Sequence, residues 1–335
     1  MRVALITHPS SFDHVPPRSH PERPERVTAV IDGVREGEPE VVEISAREAS
    51  REELSRVHAP AFLDEIEGFC ASGGGLIDAD TYAGTESWKA ACFAAGSGPT
   101  AIEAIKRGDA DIGFAAVRPP GHHASKDSAM GFCLLNNVAV AAAMLVAGGS
   151  RVAIVDWDVH HGNGTQDIFY DTPDVLYLSL HHAPFYPGTG RVEEVGAALG
   201  TGATVNVPLS AYSNGAVYRQ VFERIVEPVL DQFSPDWLLV SAGYDAHVDD
   251  PLGGMGLVPD DYAAMAATLA RTMKGRNTVF FLEGGYNLAA ITASVSATLN
   301  GFADRETPLD PPPRSVPAVD YALQVFSLFW ELDQG

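Results

Sequence analysis

Long hydrophobic runs, abundant cysteine and an excess of basic side chains are all missing from this sequence of 335 residues. No run approaches the roughly 18–20 apolar residues that a membrane-spanning helix requires, so we expect no membrane partner. The N-terminus becomes polar too early for a signal peptide. The 3 cysteines, an odd number at wide spacings, indicate reduced thiols and a cytoplasmic location.

Acidic residues outnumber basic ones by 44 to 22, which gives a formal net charge of −22. This balance repels phosphate and argues against a nucleic-acid partner, whereas it would attract a cationic substrate. Solubility alone would explain the same charge equally well. The hydrophobic content of 46% allows a large buried core. The composition is compatible with a monomer or an oligomer.

Apolar strands alternate with helices along the whole chain, 1–335, which predicts one doubly wound α/β domain with a mostly parallel sheet. Segment 73–87 is predicted to be a loop, and no second sheet is expected. Residues Asn214–Phe233 are predicted to form a helix with a kink at Pro228.

The C-terminal part of the sequence contains a Pro-rich link, Pro308–Pro313, followed by an amphipathic segment. We expect a last helix near 318–332 that packs on the domain.

The most informative stretch is Arg151–Gly164, RVAIVDWDVHHGNG. It begins as an apolar, β-branched run typical of a buried strand and then becomes polar at every second residue. Because side chains alternate faces along an extended backbone, Asp156, Asp158 and His160 would point the same way at the strand's carboxyl end. Bringing these groups together is costly unless a cation neutralises them, and the ligand types suit Zn²⁺ or a similar divalent ion.

Asp245 follows another predicted strand, in SAGYDAH. Ligands of such sheets bind beyond the carboxyl ends of the strands, so Asp245 could join Asp158 and His160. Three protein ligands with a position left for water form the catalytic arrangement of zinc. His247 and Asp249 are alternative ligands that the spacing leaves open.

His122 and His123 follow the predicted strand 111–117, in RPPGHHA. Paired histidines beside a metal suit general acid and base chemistry near neutral pH. After the last strand, Tyr286 in EGGYN could donate a hydrogen bond to an oxyanion. Aromatic loops at Phe132 and Tyr186 would wall a narrow apolar slot for a linear side chain.

Six motifs in this order resemble the zinc-dependent histone deacetylase superfamily, which also contains acetylpolyamine amidohydrolases and acetoin-utilisation proteins. They are RPPGHHA, GFCLLNN, DWDVHHGNGTQ, SLHHAPFYPGTG, SAGYDAHVDDPLGG and LEGGYN. The tryptophan and asparagine of DWDVHHGNG, with HPERPERV, resemble the class II branch more than class I. The resemblance implies an open fold of the arginase–deacetylase type, with a parallel sheet of about eight strands between helices.

The resemblance also implies the roles of the catalytic residues and one Zn²⁺ per chain. The implied zinc ligands are Asp158, His160 and Asp245. The implied catalytic residues are His123 as general base and acid, His122 as its electrostatic partner, Asp156 and Asn163 as the groups that orient these histidines, and Tyr286 as the oxyanion donor. Arg26 resembles an arginine that lies deep behind the metal.

Two further groups of residues match binding positions of the family. The substrate channel is matched by Gly131, Phe132, Tyr186, Leu252 and Gly285, with Asp80 as a candidate rim residue. A monovalent-cation site, usually potassium, is matched by the main-chain oxygens of Asp156, Asp158, His160 and Leu180 with Ser179, and part of a second one by Phe169, Thr172 and Val175. Potassium is therefore a second expected cofactor.

Asn163 stands where class I enzymes carry an aspartate. A neutral amide stabilises protonated His123 less, so a lower pKa of His123 is expected. Tyr186 replaces the phenylalanine of many relatives and makes the channel slightly more polar. Tyr286 agrees with the active members, which favours deacetylase activity.

The predicted function is zinc-dependent hydrolysis of an acylated amine such as acetyl-lysine. Acetylpolyamine enzymes usually carry a long insertion before the Thr204 strand, whereas this connection is short, which favours an acyl-lysine or a small acylated amine. An acetylpolyamine or other small acyl-amine deacetylase is the alternative. A two-metal ureohydrolase and an inactive acyl-amine binding protein are weaker alternatives.

Overall fold

The computed structural model describes residues 1–274, 277–305 and 316–333, and its centre is an eight-stranded sheet. The strands along the chain are β1 (Arg2–Thr7), β2 (Glu40–Ser45), β3 (Gly75–Leu76), β4 (Tyr82–Ala83), β5 (Ile112–Ala115), β6 (Val152–Asp156), β7 (Val175–His182), β8 (Thr204–Leu209), β9 (Trp237–Ala242) and β10 (Thr278–Leu282). The sheet order is β2-β1-β5-β10-β9-β6-β7-β8, and every pairing in it is parallel. The predicted α/β class is confirmed.

Helices cover both faces of the sheet. They are α1 (Ser10–Asp13), α2 (Glu25–Glu36), α3 (Arg51–Leu54), α4 (Pro60–Ala71), α5 (Ser87–Arg107), α6 (Asn137–Ala147), α7 (Asn163–Phe169), α8 (Gly215–Val221), α9 (Glu227–Phe233), α10 (Pro259–Thr272), α11 (Leu288–Asp304) and α12 (Pro317–Phe326). Two buried apolar clusters follow from this arrangement, one with α2 and α8 to α12 and the other with α4, α5 and α6. Neighbouring residues of β6 alternate between them: Val155 belongs to the first and Ile154 to the second.

The segment 73–87, predicted as a loop without a second sheet, contains the antiparallel pair β3 and β4. The prediction was wrong because two-residue strands are too short to show an alternating pattern. Gly74 and Gly75 have φ values of +68° and +148°, which lie in the left-handed region that glycine tolerates.

Two predicted helices differ from the helices of the structure in their form or their ends. The segment predicted as Asn214–Phe233 consists of α8, a π-helical turn at Phe222–Val226, and α9. Pro228 lacks an N–H, and its ring crowds the preceding turn of the helix. The π-helical turn, which is wider than an α-helical one and lies directly before α9, accommodates this ring.

The last helix, predicted near 318–332, ends at Phe326. A tight turn follows it, in which the amides of Phe329 and Trp330 both donate to the Phe326 carbonyl. The Trp330 indole donates to the Gly202 carbonyl at 3.0 Å, which anchors the turn beside β8. The Pro-rich link predicted at Pro308–Pro313 lies outside the described residues.

Candidate active site

Three potential metal ligands meet beyond the carboxyl ends of β6 and β9. One ligand atom from each of Asp158, His160 and Asp245 lies within 4.8 Å of the other two. His160 Nδ1 is 3.1 Å from Asp158 Oδ1 and 3.2 Å from Asp245 Oδ2. Both carboxylates are fully buried. Among the described residues this is the one such cluster, and it includes neither His247 nor Asp249.

This donor set fits a tetrahedral divalent ion. Ligand atoms bound at about 2.0–2.1 Å in a tetrahedron lie about 3.3 Å apart, close to the spacings on either side of His160 Nδ1. That nitrogen can donate only one hydrogen, and Asp245 Oδ2 has no hydrogen-bond partner among the described residues. Burial opposes protonation of His160, yet Asp158 and Asp245 outweigh it and raise its pKa to about 10. A cation would replace this proton.

Asp245 and Asp158 owe their placement to the neighbouring backbone. Asp245 Oδ1 accepts from the Val159 amide at 3.0 Å, and Asp158 Oδ2 accepts from the Gly284 amide at 2.7 Å. These bonds hold the loops after three different strands around one point and leave the inward-facing oxygens available to a ligand.

His122 and His123 lie side by side, with ring centroids 4.0 Å apart. His122 Nδ1 is 3.0 Å from Asp156 Oδ2, and His123 Nδ1 is 2.8 Å from Asn163 Oδ1. The structure therefore places each histidine against the partner that the sequence predicted for it. Because an amide oxygen only accepts, the Nδ1 of His123 carries the hydrogen and its Nε2 is the free acceptor.

The two histidines differ in charge. Burial opposes protonation of His122, but Asp156 and Asp158 outweigh it and raise its pKa to about 10. Burial, together with the charges of His122 and His160, holds the pKa of His123 well below its usual range. The pair thus offers a cationic histidine beside a neutral one.

A cavity of about 470 Å³ leads from the surface to these groups. Its lining includes every residue predicted for the channel except Gly285, namely Gly131, Phe132, Tyr186, Leu252 and Asp80, as well as His122, His123, His160 and Tyr286. Gly131 permits the close approach at its narrow end, since a Cβ there would collide with the His123 ring.

Aromatic rings wall the cavity. The Tyr186 ring is 5.3 Å from the His123 ring, and the Phe132 ring is 6.0 Å from that of Tyr286. Phe185, the neighbour of Tyr186 in the same aromatic loop, stacks on His160 with the ring centroids 5.4 Å apart. His160 and Phe185 lie in two different loops, after β6 and after β7, so no periodic pattern in the sequence indicated this contact.

Arg26, which the resemblance placed behind the metal, belongs to a buried charged network whose other members, Glu22 and Arg118, sequence reasoning missed. Glu22 pairs with Arg118 through both carboxylate oxygens and with Arg26 Nη1 at 3.1 Å. Arg26 in turn donates to the carbonyls of Gly285 and Glu283, and its guanidinium lies 5.0 Å from the Tyr286 ring centroid. The available signal was the run of charged residues in HPERPER, in which Glu22 precedes α2 and Arg26 lies in its first turn.

Glu283 supports the histidine loop. Its Oε2 accepts from the amides of Gly121 at 2.7 Å and His122 at 3.1 Å. Burial raises the pKa of Glu283 to about 7, although the charge of His122 opposes the rise. This carboxylate ties the end of β10 to the loop after β5.

The residues predicted for monovalent cations lie in two places. Asp156 and Ser179 are paired across β6 and β7, which brings the first set together. In the described part of the chain, no backbone amide donates to the main-chain oxygens of Asp158 and His160. The second set follows the turn from α7 to β7: Phe169, Thr172 and Val175.

This fold, with an Asp-His-Asp cluster and paired histidines at the carboxyl edge of the sheet, defines a class of metal-dependent amide hydrolases. A family model described as the histone deacetylase domain matches residues 20–302. The chain belongs to the histone deacetylase domain family. At the level of the family, the predicted enzyme class, a hydrolase of amide bonds, is confirmed.

Individual relatives agree with this assignment. Histone deacetylase 15 of Arabidopsis thaliana is 42% identical over 343 residues, which cover 97% of this chain and 61% of that protein. The polyamine deacetylase HDAC10 of Homo sapiens is 38% identical over 314 residues, 88% of this chain and 47% of that protein. The crystal structure of the HDA15 HD domain superposes with a TM-score of 0.91 at 38% identity, covering 98% of this chain and 96% of that one.

The chain spans only part of the two named relatives, 61% and 47% of their lengths. Within the residues that the structure describes, no helix combines the length and apolar character needed to cross a membrane.

Proposed function

We propose that the protein is a zinc-dependent amidohydrolase that removes an acyl group, in the first place acetyl, from an acylated amine. The observation that carries this proposal is that His122, His123, His160 and Tyr286 line one cavity together. A polarising group, a base and an oxyanion donor at one point are what amide hydrolysis requires.

His123 is the proton carrier in this proposal. Its Nδ1 hydrogen is held by Asn163, so its Nε2 accepts a proton from the attacking water and later returns it to the leaving amine. The low pKa of His123 keeps it in the neutral, accepting form.

His122 and Tyr286 stabilise negative charge. His122, held against Asp156, keeps its proton and offsets the charge that develops on the acyl oxygen. The Tyr286 hydroxyl donates a hydrogen bond to the same oxygen. The products are a carboxylate and a free amine.

Asp158, His160 and Asp245 are the residues that would hold the divalent ion. When bound, such an ion supplies Lewis acidity towards the acyl carbonyl and lowers the pKa of water. Nitrogen and carboxylate ligands in this number favour zinc. The main-chain oxygens of Asp158 and His160, to which no backbone amide of the described residues donates, support the proposal of a bound potassium ion, which would shield the buried carboxylates.

The cavity favours an acyl-lysine over a polyamine. Among the described lining residues, Asp80 at the rim is the one carboxylate outside the metal cluster, and Leu252 is apolar. A polyamine carries additional cationic amines that would call for more carboxylates along the walls. The alkyl chain of lysine matches the aromatic walls formed by Phe132 and Tyr186.

The proposal extends to the domain organisation and the cellular location of the protein. We infer that 1–335 form one catalytic domain, which the packing of α12 residues Val319 and Leu323 into the core supports. A cytoplasmic location is supported by the three cysteines, which are all buried free thiols.

Hydrolysis of a panel of amides by the metal-loaded protein, beside a chelator-treated control, tests the proposal. The panel contains an acetyl-lysine peptide, trifluoroacetyl-lysine, longer acyl-lysines and acetylated polyamines. We expect chelator-sensitive release of amine from an acyl-lysine. Preferential hydrolysis of an acetylated polyamine would transfer the assignment to the alternative substrate, and no hydrolysis of any member with metal bound would contradict the amidohydrolase.

A further inference from the structure

Asp250 lies in the loop after β9, and neither the metal cluster nor the proposed proton transfers involve it. Its side chain is 8% exposed, and its carboxylate bridges two loops. Oδ1 accepts from the Leu252 amide at 2.9 Å. Oδ2 accepts from the amides of Tyr286 at 2.6 Å and Asn287 at 3.3 Å.

These bonds connect the backbone at the rim of the cavity with the backbone of the proposed oxyanion donor. Leu252 and Tyr286 both line the cavity, one on the loop after β9 and the other on the loop after β10. The same two loops are joined by a bond from Asn287 Nδ2 to the Asp249 carbonyl at 3.0 Å. One buried carboxylate therefore fixes the main chain of a rim residue and of the tyrosine together.

The backbone next to Tyr286 needs such a restraint. Gly285 has a φ of +115°, a conformation available to glycine, and this residue therefore adds freedom directly before the tyrosine. A hydrogen bond to an ionised acceptor is roughly twice as strong as one between neutral groups. The short bond from the Tyr286 amide to Asp250 thus holds the residue that follows the most adaptable position of the loop.

We propose that Asp250 is a positioning residue that places the Tyr286 hydroxyl for catalysis and the Leu252 side chain for substrate binding. The proposal rests on the proposed function, in which Tyr286 is the oxyanion donor. Asp250 touches no reacting atom and acts through the two backbone segments that it binds.

Asp250→Asn is the informative substitution. The amide keeps the size of the side chain, but one of its two heavy atoms becomes a donor that cannot accept from an N–H. Either the Leu252 or the Tyr286 amide then loses its partner. A displacement of the tyrosine by as little as about 1 Å predicts a loss of kcat on the order of 10–100-fold, with a smaller rise in KM from Leu252.

Asp261→Asn is the matched control. Asp261 is buried to a similar degree, at 7% exposure, and accepts from the Val258 amide at 3.0 Å, but it lies on α10 and does not line the cavity. We expect this variant to lower thermal stability while leaving kcat and KM within about twofold of the unsubstituted protein.

A double-mutant cycle with Tyr286→Phe, measured on the metal-loaded protein, tests the proposal. If Asp250 acts through the tyrosine hydroxyl, Asp250→Asn should change kcat by less than about twofold once that hydroxyl is absent. Asp250→Glu keeps the charge while moving its oxygens, and it serves in the same cycle if the asparagine variant does not fold.

The outcomes separate the two proposals. Unchanged kcat in Tyr286→Phe alone would remove the tyrosine from the proposed mechanism. A lowered kcat in Tyr286→Phe, with Asp250→Asn lowering kcat by the same factor in both backgrounds, would show that Asp250 serves the fold alone and would overturn the positioning role.

Discussion

His123 donates from Nδ1 to the side-chain oxygen of Asn163, at 2.8 Å. A neutral amide thus stands where a carboxylate would favour the imidazolium form. The bond fixes the tautomer of His123 and directs its Nε2 towards the cavity without adding negative charge. Burial and the charges of His122 and His160 lower the pKa of His123, and they outweigh the charge of Asp158 and the hydrogen bond to Asn163, which act in the opposite direction.

Asn163→Asp should raise the pKa of His123, because a carboxylate stabilises its protonated form. The general base must be neutral, so activity requires a pH above this pKa. The acid limb of the kcat/KM profile should therefore move to higher pH, with the largest loss of activity below neutrality. An acid limb that stays in place would show that His123 is not the titrating base.

Tyr286→Phe should lower kcat by a factor on the order of 10²–10³, the usual cost of removing one oxyanion donor. KM should change much less, because the phenyl ring keeps its packing against Phe132 at the cavity wall. Steady-state kinetics on one acyl-lysine peptide measure both constants. Equal losses in kcat and in substrate affinity would instead indicate a disordered loop.

Glu22→Gln should destabilise the protein by about 3–5 kcal/mol at neutral pH, since it leaves Arg118 and Arg26 buried without their counter-charge. Burial opposes ionisation of Glu22, but Arg118 outweighs it and holds the pKa well below its usual range. The ionised form therefore stabilises the fold above about pH 4.3, the pKa of an unfolded glutamate, and this contribution is lost as the pH falls towards the folded pKa.

Denaturant unfolding of both proteins between pH 3 and pH 7 measures this difference. The gap between unsubstituted protein and Glu22→Gln should be constant near neutrality and close only in acid. A gap that is constant over the whole range would contradict the ionised state of Glu22.

Some residues of the site could be predicted from the sequence, and others could not. Asp156, Asp158 and His160 were predictable because they occupy every second position from the last residue of a buried strand onward, and the carboxyl ends of parallel strands lie at one edge of the sheet. Asp250 had no such pattern, since its partner Tyr286 lies 36 positions away and is bound through its backbone. Glu22 was hidden for a similar reason, since Arg118 is 96 positions distant.

His58 should make stability depend on pH. Its Nδ1 faces the Ser125 carbonyl at 2.8 Å and its Nε2 accepts from the Asn136 amide at 2.9 Å, so only the neutral ring satisfies both. Burial lowers its pKa to about 4 from 6.5. Between these values the unfolded chain binds the additional proton, so the free energy of unfolding falls as the pH falls, by about 3 kcal/mol in total.

His58→Gln should remove this contribution. The free energy of unfolding of both proteins is measured at pH 7 and at pH 5, and the difference between the proteins is compared at the two pH values. The contributions of the other histidines cancel in this difference. A difference that does not change with pH would exclude His58 as the source.

Metal titration of the chelator-stripped protein tests the central claim most directly. Hydrolysis of an acetyl-lysine peptide is measured as Zn²⁺ is added, with Asp245→Asn as a control that lacks one of the three converging ligands. We predict that activity is absent without metal, is restored with a break at one equivalent of Zn²⁺ per chain, and is not restored at that ratio in the control. Full activity after complete removal of metal, or a requirement for two equivalents, would contradict a one-metal amidohydrolase.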